Sequence, residues 1–187
     1  NALAGDEACW DLPDPTAGAS RDPDPATSIS PEAPQRLEAM FDRQAIAAPD
    51  RTAIISPAGS ITYAKLREKA LALSAELVHR GVAPGMLVAV TLRKGWEQVA
   101  AVLGILYAGA AYVPVDPDLP DERRALLLKS SGARHAITSE ALYTKLDWTE
   151  TVEPIRIDRL PVHQKNVRQP SGEATDLAYV IFTSGST

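Results

Sequence analysis

Apolar positions recur along this chain at two spacings, and segments of the two kinds alternate. Leu66, Ala70, Leu73 and Leu77 fall four, three and four residues apart, which places them on one helical face, and Gly81 stands where that helix would end in a left-handed residue. Thr62 is placed as its N-cap, with Lys65 where a glutamate would complete a capping box, so the cap should be weakened by a cation in the first turn. Residues 87–91 read as an unbroken apolar strand suited to a sheet covered on both faces. Residues 96–107 then predict a helix that buries Trp96, Val99, Leu103 and Leu106.

The same reading covers the rest of the chain. Residues 35–47 predict a helix with Leu37, Met40, Phe41 and Ile46 inward, ended by Pro49, and residues 52–56 and 60–62 a hairpin across Pro57-Ala-Gly59. Residues 112–115 predict a short strand, and Pro120 followed by Asp121 and Glu122 opens a helix that ends near Gly132. Strands follow at 135–138, 154–157 and 177–182, with a short helix at 140–146 and a loop over 158–175. Strand and helix in alternation predict an α/β fold, a mostly parallel sheet flanked by helices.

Composition marks a boundary in this pattern. Residues 11–34 are rich in Pro, Asp and small residues, with almost nothing to bury, and read as a semi-extended interdomain linker; residues 3–10 read as the tail of an upstream domain. The division is therefore 1–34, tail and linker, and 35–187, a domain. The net −5 charge belongs to the first part: residues 1–34 carry seven acids against Arg21 alone, whereas the remainder holds 17 acids and 18 bases. A nearly neutral folded part argues against a nucleic-acid surface, which would show as a basic face. The single Cys9 allows neither an intrachain disulfide nor a cysteine-based zinc site, and a reducing, cytoplasmic setting fits. No apolar run approaches the roughly 20 residues of a membrane span.

The chemistry concentrates in the last nine residues, Tyr179-Val-Ile-Phe-Thr-Ser-Gly-Ser-Thr187, an apolar strand running straight into small hydroxyl residues. Gly185 lets the backbone bend and approach an anion, while Thr183, Ser184, Ser186 and Thr187 supply donors around it. Taken alone, this is either an ordinary Ser/Thr/Gly loop or a phosphate cradle at a strand's carboxyl end, where open α/β sheets place nucleotides. No lysine follows within the chain, so it is no Walker-type P-loop.

Two earlier segments, Ile61-Thr-Tyr-Ala-Lys-Leu66 and Leu106-Tyr-Ala-Gly-Ala-Ala-Tyr-Val-Pro-Val-Asp116, precede Leu177-Ala-Tyr-Val-Ile-Phe-Thr-Ser-Gly-Ser-Thr187 in fixed order. Together they resemble the first three core motifs of the adenylate-forming enzymes, in particular the adenylation domains of nonribosomal peptide synthetases. The stretch from Arg93 to Leu106 is similar to adenylation domains that follow a heterocyclisation domain. The resemblance covers about two thirds of the chain.

It implies the N-terminal portion of the large subdomain of an adenylate-forming enzyme, cut within the ATP loop. The intact enzyme would activate an amino acid as its adenylate with ATP and Mg²⁺, then load it onto the phosphopantetheine thiol of a carrier domain in secondary-metabolite synthesis, with a condensation or heterocyclisation domain upstream. Thr183, Ser184, Gly185, Ser186 and Thr187 would hold the ATP phosphates. No catalytic or metal-binding residue is assigned, since the resemblance places the catalytic lysine, the adenine contacts and the substrate pocket beyond Thr187. The 187 residues alone are expected to be inactive. An acyl- or aryl-CoA ligase shares the loop and the fold, and a non-catalytic remnant is the third possibility.

Other residues carry plainer readings. Ala108 to Ala111 are small so that the next strand packs close to the helix end, and Pro114 fixes the exit. His79, His135 and His163 have no metal-ligand spacing and read as surface or packing histidines. Residues 121–124 read as a solvated helix start, and Trp10, Trp96 and Trp148 form no aromatic platform for nucleic acid.

Overall fold

The computed structural model describes residues 35–56, 59–160 and 172–183. The linker, His163 and Ser184 to Thr187 lie outside them. Helix α1 (Leu37–Ala47) precedes a hairpin of β1 (Thr52–Ser56) and β2 (Gly59–Thr62), and α2 (Tyr63–His79) follows directly. Thereafter come β3 (Leu87–Val90), α3 (Trp96–Tyr107), β4 (Ala111–Pro114), α4 (Asp121–Ser131), β5 (His135–Thr138), α5 (Glu140–Tyr143) and β6 (Glu153–Arg156). The four later strands form one sheet in the order β4-β3-β5-β6, every pair parallel.

The predicted α/β alternation holds, and strand period fixes which residue meets which layer. Val88, Val90 and Ile137 pack with α2, α3 and Leu142 of α5 on one face. Ala89, Val113, Val115 and Ala136 pack with Leu127 and Leu128 of α4 on the other. Leu66, Ala70, Leu73 and Leu77 are all at most 1% exposed, as their spacing required. Opposite them Gly104 gives α3 its close approach, because a Cβ there would stand 2.8 Å from the Ala70 carbonyl oxygen. Gly132 closes α4 in the left-handed region at φ 68°. The Thr62 cap forms, its hydroxyl accepting from the Lys65 amide at 3.3 Å, and the Lys65 ammonium is taken up by Glu68 at 2.8 Å.

Four expectations need correction. Helix α1 turns Leu37, Met40 and Ile46 outward; Glu38 and Ala45 are buried beside the half-buried Phe41. Charge pairing sets that orientation. Glu38 pairs with Arg36, while Asp42 accepts from Arg67 at 2.6 Å and from the Tyr107 hydroxyl at 2.8 Å. In α3, Val99 is exposed and the small residues Ala100, Ala101 and Gly104 are buried instead, because beyond its first turn the helix carries no charged residue and its inward face is left to steric fit. Arg124 is not solvated: it is 1% exposed, donates to the carbonyls of Leu119 and Asp147, and pairs with Asp121 at 2.6 Å. Finally, residues 177–182 make only a single parallel bridge, Tyr112 to Tyr179, because the next outward-facing position on β4 is Pro114, which has no N–H to extend the ladder.

Candidate functional site

Two successive crossovers leave the sheet on opposite faces. From β3 the chain passes through α3 on one side, and from the neighbouring β4 through α4 on the other, so residues 91–95 and 115–120 diverge at the carboxyl edge. A crevice between adjacent strands whose connections part in this way is where open α/β sheets bind ligands.

Residues 177–182 flank β4 on its outer side. The Tyr112 amide donates to Ala178 O and the Val180 amide to Tyr112 O, each at 3.0 Å. Val180 and Phe182 pack against the cluster under α4, whereas Leu177, Tyr179 and Ile181 remain exposed. This alternation agrees with the observed register, and continuing it from the Tyr112–Tyr179 bridge sets Thr183 level with Asp116 at the carboxyl edge. Burial, with Tyr179 as a lesser influence, raises the Tyr112 phenol above its usual pKa, so the ring stays neutral.

Of the five predicted phosphate-binding residues the structure describes Thr183, which is exposed at that edge. Ser184, Gly185, Ser186 and Thr187 lie outside the described residues. The neighbouring turn after β4 contributes Asp116, whose carboxylate accepts from the Asp118 amide at 2.9 Å, and Asp118 pairs with Arg93 of the β3–α3 loop at 2.5 Å. Arg93 is thereby a cation at the crevice to which sequence reasoning gave no role; its pairing with Asp118 depends on strand neighbours no linear pattern reveals. Also unforeseen are Thr91 and Thr138, at the ends of the adjacent β3 and β5, fully buried with hydroxyls that have no hydrogen-bond partner among the described residues.

Ala108, Ala110 and Ala111 are buried where helix passes to strand, which fits their expected packing role. His135 packs at the opposite, amino edge, 3.5 Å from Glu153, and burial lowers its pKa. It lines an open depression of about 920 Å³ with Lys129, Arg134 and Glu153, away from the delivered loop. Among the described residues no group of three or more His, Cys, Asp and Glu side chains is arranged to hold a metal ion, and no helix is long and apolar enough to cross a membrane.

Residues 41–187 match the family described as AMP-binding enzyme. Tyrocidine synthase 3 of Brevibacillus parabrevis is 40% identical over 154 residues, which is 81% of this chain and 2% of that protein. Phenyloxazoline synthase MbtB of Mycobacterium sp. (strain MCS) is 37% identical over 190 residues, 99% of this chain and 16% of that protein. The chain thus spans a small part of the relatives it matches. Among solved structures, the nonribosomal peptide synthetase FmoA3 (S1046A) superposes with a TM-score of 0.77 at 39% identity over 80% of this chain and 16% of that one. Its AMPPNP-bound form gives 0.75 at 37% identity, over 85% of this chain and 18% of that one.

Proposed function

The chain belongs to the AMP-binding enzyme family, and from that premise we propose that it is the N-terminal part of an adenylation domain that activates an amino acid with ATP in a nonribosomal peptide synthetase. The observation that carries this reading is the register of residues 177–182 on β4, which brings Thr183 to the carboxyl edge beside the crevice. Thr183, Ser184, Gly185, Ser186 and Thr187 wrap the triphosphate with hydroxyl and backbone N–H donors. The substrate carboxylate oxygen attacks the α-phosphorus, forming the mixed anhydride acyl-AMP as the bond to pyrophosphate breaks. Such a transfer is governed by positioning and charge neutralisation, so these residues act without a nucleophile or base among them.

Mg²⁺ belongs to this reading as a companion of the triphosphate, bound mainly through phosphate oxygens and water. The described carboxylates form no cluster for it, so no residue is assigned to it. In the second half-reaction the phosphopantetheine thiol of a carrier domain takes the acyl group and AMP leaves. The synthetase relatives favour this over an acyl- or aryl-CoA ligase or a non-catalytic remnant. Similarity to phenyloxazoline synthase extends through the linker, and an oxazoline is the ring a heterocyclisation makes; that supports a heterocyclisation domain upstream.

The test is exchange of labelled pyrophosphate into ATP by the full-length protein, with each amino acid in turn and with aryl and fatty acids. Exchange dependent on one amino acid supports the reading. Exchange with an aryl or fatty acid, followed by its transfer to free coenzyme A, supports the ligase, and none with any acid supports the remnant. Residues 1–187 alone should give none.

A further inference from the structure

The approach to the phosphate loop is tied to the start of the domain by one side chain. The Arg36 guanidinium donates to Gly172 O and to Leu106 O, each at 3.3 Å, and pairs with Glu38, whose side chain is 4% exposed. A hollow of about 70 Å³ lies among Arg36, Glu38, Leu106, Gly172, Asp176 and Leu177. The turn that Arg36 grips is itself closed. Asp176 accepts from the Glu173 amide through its carboxylate at 2.7 Å and returns its own amide to Glu173 O at 3.1 Å. Gly172 sits at φ +111°, where a Cβ would stand 2.7 Å from the Asp176 carboxylate and 3.8 Å from Gly109 Cα.

Beyond this turn, residues 177–182 are held to β4 by the two backbone bonds of Tyr112. So short a ladder specifies register weakly by itself. A slip of one residue would turn Val180 and Phe182 out of the α4 layer and displace Thr183 by about 3.3 Å onto the other face. Pinning residue 172 from the far end removes that freedom.

We infer that Arg36, held by Glu38, is a positioning residue for ATP: by clamping the Gly172–Asp176 turn it sets the register in which residues 177–182 present the phosphate loop. The inference rests on the ATP reading of that loop, although the clamp can be measured without ATP.

Full-length protein carrying Arg36→Met would be compared with the parent by hydrogen exchange and by steady-state kinetics, with Arg36→Lys as the conservative variant. Opening of a local unit shows as faster exchange confined to it, so the Tyr112 and Val180 amides should exchange about tenfold faster while those of α2 keep their rates. The ATP KM should rise about three- to thirtyfold, as for loss of one or two charge-assisted hydrogen bonds, with the amino-acid KM within about twofold and partial recovery in Arg36→Lys. If Arg36→Met does not fold, Glu38→Gln keeps both carbonyl bonds and should give the same pattern at lower amplitude. Unchanged exchange at Tyr112 and Val180, or acceleration spread equally through α2, overturns the inference; so does faster local exchange with an unmoved ATP KM. Thr183→Ala run alongside separates the two readings, since an ATP KM unmoved there too brings down the loop assignment itself.

Discussion

The rings of Tyr112 and Tyr179 lie 5.6 Å apart, tilted by 38°, on the one bridge that attaches residues 177–182 to β4. A tilted aromatic pair of this kind contributes about 0.5–1.5 kcal/mol beyond the area it buries. Because Tyr179 is 48% exposed, the lower end of that range applies. Tyr179→Ala should therefore lower the chemical-denaturation midpoint only slightly, yet raise exchange of the Val180 amide. Equal loss of protection throughout the sheet would mean that the bridge is no local fastening.

Tyr107 joins Asp42 and Arg67 between α1, α2 and α3, and burial, followed by its hydrogen bond to Asp42, raises its pKa. The unfolded phenol ionises near pH 10. Above that pH the unfolded chain sheds a proton that the folded chain retains, so this contribution is full below about pH 10 and is lost as pH climbs. Tyr107→Phe should cost about 1–2 kcal/mol at neutral pH and make the alkaline fall in stability shallower. Denaturant melts at neutral and alkaline pH check this; an unchanged alkaline slope would show that other groups govern it.

Gly104→Ala tests the α2–α3 contact. The new Cβ would meet the Ala70 carbonyl oxygen at 2.8 Å and Leu73 at 3.0 Å, so the helices must part. Overpacking of this order costs about 1–3 kcal/mol, despite alanine's better helix propensity. A melting temperature at or above that of the parent would contradict the contact.

Thr91→Val replaces a fully buried hydroxyl that has no partner among the described residues with a methyl of similar shape. Stability should stay level or rise by up to about 1 kcal/mol. A loss larger than that in a thermal melt would show that the hydroxyl is hydrogen-bonded at the crevice floor in solution.

Local signals were legible where one physical constraint decided the outcome. The spacing of Leu66, Ala70, Leu73 and Leu77 has one helical solution, and Pro120 and Gly132 bracket α4 by backbone geometry alone. The orientation of α1 was not legible, because the partners of Glu38 and Asp42 that override its apolar residues include Arg67 and Tyr107 on other helices. Arg124 looked solvated because its carbonyl acceptors include Asp147, 23 residues on. The strand-then-hydroxyls pattern singled out Thr183, which the structure sets level with Asp116 at the carboxyl edge, but that the Arg93–Asp118 pair stands at the same edge follows from the strand order β4-β3-β5-β6, which periodicity does not contain. Arg36 was invisible for the same reason, since Gly172 lies 136 residues away.

The most direct measurement on the central claim is steady-state kinetics of the full-length protein, varying ATP and amino acid separately, for Thr183→Ala, Ser184→Ala and Gly185→Val. On the proposed reading each alanine variant would remove one charge-assisted hydrogen bond to a phosphate, about 1.5–3 kcal/mol, and should lower kcat/KM for ATP roughly ten- to a hundredfold while sparing amino-acid recognition. Gly185→Val should be worse, because a β-branched residue restricts the backbone and blocks close approach of a phosphate. ATP parameters intact in all three variants would contradict the account and leave these residues as a structural turn.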